Sequence, residues 1–139
     1  MNIGEELFIL RRSGEVLLQI DINYFEEKES NLLFGSFISA IMDFAQKSFG
    51  SGIQDLTLKD KYVSFLIDEE YNVVIALVSQ DSKKKHLKKH LKEIHQLFTN
   101  SFDKQTIQNF DGDLSIMRDF SEKLKSKYKT KIDDFLENF

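Results

Sequence analysis

Six consecutive residues, Val73-Val74-Ile75-Ala76-Leu77-Val78, carry no polar side chain. A strand with one wet face alternates apolar and polar residues, whereas a run that is apolar at every position fits a strand covered on both faces. Such a strand lies inside a sheet, and the sheet needs helices on both sides of it.

Leu7 to Arg12 is a short apolar run, and Val16 to Ile22 puts Val16, Leu18, Ile20 and Ile22 on one face. Between them Ser13-Gly14-Glu15 is turn chemistry, with Gly14 free to take positive φ, so the two segments predict a β-hairpin. Asn23 to Glu29 reads as a polar loop. Ser30 or Asn31 can cap a following helix, in which Phe34, Phe37, Ile38, Ile41, Ala45 and Phe49 recur three and four apart like a core-facing stripe. Gly35, Ser36, Ser39 and Ala40 are small, so one flank of that helix can approach another backbone closely. Gly50-Ser51-Gly52 ends it.

Ile53 to Lys59 and Tyr62 to Asp68 predict two strands joined around Lys59-Asp60-Lys61, and Asn72 to Ser79 predicts a third after the turn Asp68-Glu69-Glu70. Ser82 can cap a helix with the apolar stripe Leu87, Leu91, Ile94, Phe98 and Phe102. After a loop at Asn109 to Asp113, a last helix carries Leu114, Met117, Phe120, Leu124 and Tyr128. The fold expected from this order is α+β: a three-layer α/β/α sandwich with a five-stranded antiparallel sheet, one helix on one face and two on the other. Residues 1–130 read as one domain, and 131–139 as a helix extension or tail. There Phe135, Leu136 and Phe139 either extend the last helix over the core or dock on a partner.

Several classes of function fall away. With no cysteine in 139 residues, disulfides, thiolate metal sites and cysteine nucleophiles are excluded, and a reducing cytosol is the expected compartment. No stretch approaches the roughly 18 apolar residues needed to cross a bilayer. The start, Met-Asn-Ile-Gly-Glu-Glu, lacks the basic and apolar regions of a secretory signal. The glycines at 50 and 52 end a helix and lack the lysine and hydroxyl of a phosphate-binding loop. No serine–histidine–aspartate order suits nucleophilic catalysis, because the histidines crowd one helix. No cofactor is expected.

The net charge of −4 hides an asymmetry: residues 1–80 carry −7 and residues 81–139 carry +3. The basic side concentrates in Lys83, Lys84, Lys85, Lys88, Lys89 and Lys92. Positive charge at a helix N-terminus opposes the helix dipole at a cost of roughly 0.3–1 kcal/mol. That cost invites an anionic partner or membrane surface, against the plainer reading of a solvated face. Nucleic acid is not expected, since the phenylalanines sit at core spacing and the overall charge is negative. His86 and His90 share a helical face, but a metal site needs a third and usually a fourth ligand, and His95 is rotated away from both. They read as surface histidines, and no metal is expected. The acidic groups Glu26/Glu27/Glu29 and Asp68/Glu69/Glu70 fall in turns where water would keep them ionised.

The order of elements resembles the longin domain family over residues 7 to about 130. The hairpin Leu7–Ile22 is similar to that family's first two strands, Asn31–Phe49 to its single helix, Ile53–Ser79 to its three-strand meander, and Ser82–Phe102 with Asp113–Tyr128 to its helix pair. The start, Phe8-Ile9-Leu10 then Ser13-Gly14 and a second apolar strand, looks like archaeal and eukaryotic longin-like proteins; the related roadblock proteins begin with a helix. The resemblance implies a non-catalytic scaffold for vesicle trafficking or small-GTPase regulation, working as a homo- or heterodimer with another longin- or roadblock-like chain. With no SNARE helix or membrane anchor read after residue 130, a SNARE role is not expected. The strands Val16–Ile22 and Ile53–Lys59 are the expected sheet edges, open to strand addition. The expected partner interface joins the helix to an edge strand through Gly35, Ser36, Ser39, Ala40, Asp43, Ile53, Asp55 and Thr57. The rival readings are a profilin-like or PAS-like small-ligand sensor, which needs a cavity with converging polar groups, and an enzyme, which needs a buried ionisable pair in a cleft.

Overall fold

The computed structural model describes residues 6–21, 26–27, 32–80, 84–112 and 114–137. The elements in chain order are β1 (Glu6–Arg11), β2 (Val16–Asp21), β3 (Glu26–Glu27), α1 (Leu32–Phe49), β4 (Asp55–Thr57), β5 (Tyr62–Asp68), β6 (Val73–Ser79), α2 (Lys84–Ser101), α3 (Lys104–Gln108) and α4 (Leu114–Glu137). The chain is α+β. Its strands form one antiparallel sheet in the order β3-β2-β1-β6-β5-β4.

The all-apolar strand β6 occupies the interior. Ile75 stands opposite Ile9 of β1 on one side and Leu66 of β5 on the other. Successive side chains of a strand point to opposite faces, so β6 feeds two cores. Val73, Ile75 and Leu77 join Leu7 and Ile9 in a cluster with Leu91, Ile94 and Phe98 of α2, Ile107 of α3 and Phe120, Leu124 and Tyr128 of α4. Val74 and Ala76 join Phe8, Leu10, Val63 and Phe65 in a second cluster with Ile38 and Met42 of α1. Phe34 of α1 stacks on Phe8 of β1, ring centroids 4.0 Å apart.

The N-terminal half of α1 lies against the β1–β2 turn. Gly14 takes a φ of 104°, and a Cβ added at Gly35 would stand 2.0 Å from the Gly14 carbonyl oxygen. Two glycines face each other because no side chain fits between the backbones. Ser39 Oγ donates to the Arg12 carbonyl at 2.9 Å in the same contact.

Two elements differ from expectation. Strand β3 falls in the segment read as a polar loop, since two adjacent glutamates give no strand pattern. Its pairing with β2, Ile20 opposite Glu27, makes β2 an inner strand, so Val16–Ile22 is not the sheet edge. Helix α3 follows Asp103, whose carboxylate accepts from the Thr106 amide at 2.7 Å and from its hydroxyl at 2.7 Å. A single turn buries too little to leave a periodic stripe; only the aspartate cap announces it. Helix α4 continues unbroken past residue 130 to Glu137. The proposed caps Ser30, Asn31 and Ser82 lie outside the described residues, as do Phe139 and the side chains of Phe135 and Leu136. Among the described residues, no helix is long and apolar enough to cross a membrane.

Candidate interaction surface

At about 100° per residue, Phe34, Ile38, Ile41, Met42 and Ala45 fall on one arc of α1, and Phe34, Ile38 and Met42 of this arc pack in the sheet's core cluster. Leu33, Phe37, Ala40 and Phe44 fall on a neighbouring arc about 60° wide. That second arc is uncovered: Leu33 is 84% exposed, Phe37 48% and Phe44 63%. Phe49, at the helix end, is exposed as well, and its ring meets that of Phe44 edge-on at 6.0 Å. Phe37 and Phe49 therefore do not belong to the core stripe expected of them. Three-and-four spacing generates two apolar arcs here, and periodicity alone does not say which one the sheet covers. Leu33 and Phe44 share the arc of Phe37 and stand outside the expected stripe.

The small residues divide between two sides of the helix. Gly35 and Ser39 are used within the chain, against Gly14 and Arg12. Ser36, Ala40 and Asp43 are exposed and border the apolar arc. Beyond the helix, β4 pairs only with β5, through Asp55 to Ser64, Leu56 to Val63 and Thr57 to Tyr62, and forms one margin of the sheet. Of its expected interface residues, Thr57 is exposed, while Ile53 is half-buried against the α1-side core. Asp55 Oδ1 accepts from Ser64 Oγ at 3.0 Å. Burial, and next to it the Asp55 carboxylate, push the Tyr62 hydroxyl up to about 12. Leu58, just after β4, is exposed. A groove of about 460 Å³ lies between α2 and the start of this edge, lined by Gly52, Ile53, Gln54, Phe65, Leu66, Ile67, Lys88 and Leu91.

On α2, Lys88, Lys89 and Lys92 are exposed. Lys83 and the side chains of Lys84 and Lys85 lie outside the described residues. The histidines are not the surface residues expected. His90 is 2% exposed, with Nδ1 3.3 Å from Tyr128 Oη and Nε2 3.3 Å from His86 Nε2. His95 Nε2 lies 2.7 Å from Asp68 Oδ2. Asp68 is thus paired with protein, not held by water alone as its place in an acidic turn suggested. Among the described residues, no three histidine or acidic side chains gather as a metal-binding group. The chain matches no protein-family model and no curated protein.

Proposed function

We propose that this chain is a non-catalytic protein-interaction module. It docks partners through the uncovered arc of α1 and the strand that follows, works as a dimer, and serves a small GTPase or a trafficking assembly, as the longin-like reading implies. The observation that carries this is a concentration: every large apolar side chain described as exposed lies on α1 or immediately after β4. Exposed apolar residues scattered singly are ordinary, whereas a contiguous group marks a site that another molecule covers. Aromatic residues are the side chains that interfaces favour.

The three-layer arrangement belongs to the same proposal. One apolar cluster joins α1 to the sheet and another joins α2, α3 and α4 to it, which supports one helix in front and the others behind. The described groove is open and lies at the sheet margin, which gives less support to a ligand-sensor reading.

The test is sedimentation of the wild type beside Phe37→Ser/Phe44→Ser. The wild type is expected to associate and the double variant to sediment as a monomer with an unchanged circular dichroism spectrum. A wild type that stays monomeric at high micromolar concentration overturns the dimer. Capture of nucleotide-loaded small GTPases by the wild type, lost in the double variant, tests the partner; a wild type that captures none removes that assignment.

A further inference from the structure

Independently of that surface, we propose that His86 and His90 form a binding site for a divalent zinc-class cation on the first turns of α2. One helical turn separates the two residues, which sets their side chains on one face. Their Nε2 atoms are 3.3 Å apart. The two nitrogens are within hydrogen-bond reach of each other, and two imidazole nitrogens bound at about 2.0–2.1 Å to one tetrahedral zinc stand roughly 3.3 Å apart, so a zinc ion that displaces the shared proton leaves their separation unchanged.

The surroundings prepare His90 for this role. Its Nδ1 faces Tyr128 Oη at 3.3 Å and Glu93 Oε2 at 3.7 Å. With its proton on Nδ1, facing Tyr128 and Glu93, His90 would present Nε2 to the metal, the arrangement in which metal-bound histidines are oriented from behind. Burial against α4 fixes the ring, which reduces the ordering cost of binding. His86 is half-buried and gives the ion its way in. The Glu93 charge favours a cation, while the exposed Lys88 and Lys89 oppose it. Chain without a third ligand among the described residues leaves the remaining positions of the ion to water or to a side chain of a docking partner.

The experiment is calorimetric titration of the full chain with zinc chloride, with thermal melts alongside. The wild type is expected to take up one zinc per chain and to melt at a higher temperature with it. His86→Ala, at a half-buried position that tolerates truncation, is expected to bind at least tenfold more weakly and to lose the thermal shift. His95→Gln is the control and is expected to bind like wild type. X-ray absorption of the zinc-loaded wild type is expected to show two imidazole nitrogens on the metal. No heat and no thermal shift with excess zinc, or undiminished binding by a folded His86→Ala, overturns the proposal.

Discussion

His95 of α2 and Asp68 at the end of β5 are joined by a hydrogen bond, with Nε2 2.7 Å from Oδ2. The other carboxylate oxygen, Oδ1, accepts from the Tyr71 amide at 2.8 Å, and the Tyr71 hydroxyl donates to the Phe102 carbonyl at 2.6 Å. One aspartate thus joins the β5–β6 turn to α2, and its neighbouring tyrosine reaches the end of that helix. Burial raises the Asp68 carboxyl, but the bonds from His95 and the Tyr71 amide, the His95 charge and the Glu70 amide outweigh it and hold the group below the usual carboxylate range.

Asp68→Asn keeps an oxygen for the turn and loses the charge. It is expected to lower stability at neutral pH by about 1.5–3 kcal/mol, the scale of a hydrogen bond to a charged group. A folded-state pKa below the unfolded one, near 3.9 for an aspartate, contributes stability that is present above that value and lost as pH falls through the folded pKa. Urea midpoints across acidic pH are therefore expected to converge for wild type and variant below that range; a constant gap would contradict the pairing.

Gly35→Ala tests the close approach of helix and turn. The new Cβ would stand 2.0 Å from a backbone oxygen, which cannot swing aside as a side-chain end can. The expected loss is about 1–3 kcal/mol despite the better helix propensity of alanine. Gly52→Ala, whose Cβ would meet only the Ile67 Cδ1 at 3.9 Å, is expected to be nearly neutral in the same denaturation experiment.

Phe98 and Phe44 separate the two uses of phenylalanine in this chain. Phe98 is fully buried, with the rings of Phe102, Phe120 and Tyr71 at 5.2, 5.6 and 5.7 Å. Phe98→Ala is expected to cost about 3–5 kcal/mol. Phe44→Ala, measured on dilute monomer, is expected to fall within about 0.5 kcal/mol of wild type. Equal losses would mean that the outer arc of α1 is covered within the chain.

Tyr62 sets an alkaline limit. Its folded hydroxyl ionises at about 12, above the ordinary value near 10. The contribution of this group is complete below the ordinary value and lost as pH rises through the folded one. Wild-type stability is expected to decline over that interval, and Tyr62→Phe is expected to flatten the decline in guanidinium melts.

The sheet was legible in the sequence where burial dictates residue type. Val73–Val78 had to be an inner strand because nothing in it tolerates water, and Tyr62–Asp68 was bounded by charged turns on both sides. Short elements were not legible: Glu26–Glu27 and Lys104–Gln108 carry no repeating apolar signal. The exposed side of α1 was half legible. Ser36, Ala40 and Asp43 were singled out for their small or polar character, but the phenylalanines beside them passed for core. Spacing specifies which residues share an arc, and only the tertiary contact decides which arc is covered. The burial of His90 was not legible because it depends on Tyr128, a residue 38 positions away.

Among the described residues the sheet ends in two very short strands, Glu26–Glu27 at one margin and Asp55–Thr57 at the other. So few free amides and carbonyls give a passing chain little to grip, which guards against runaway stacking into fibrils. Under the proposed pairing, a lasting grip at β4 also draws on the apolar side of α1, and each copy has that combination once. Growth then stops at two, leaving a closed particle in place of a polymer.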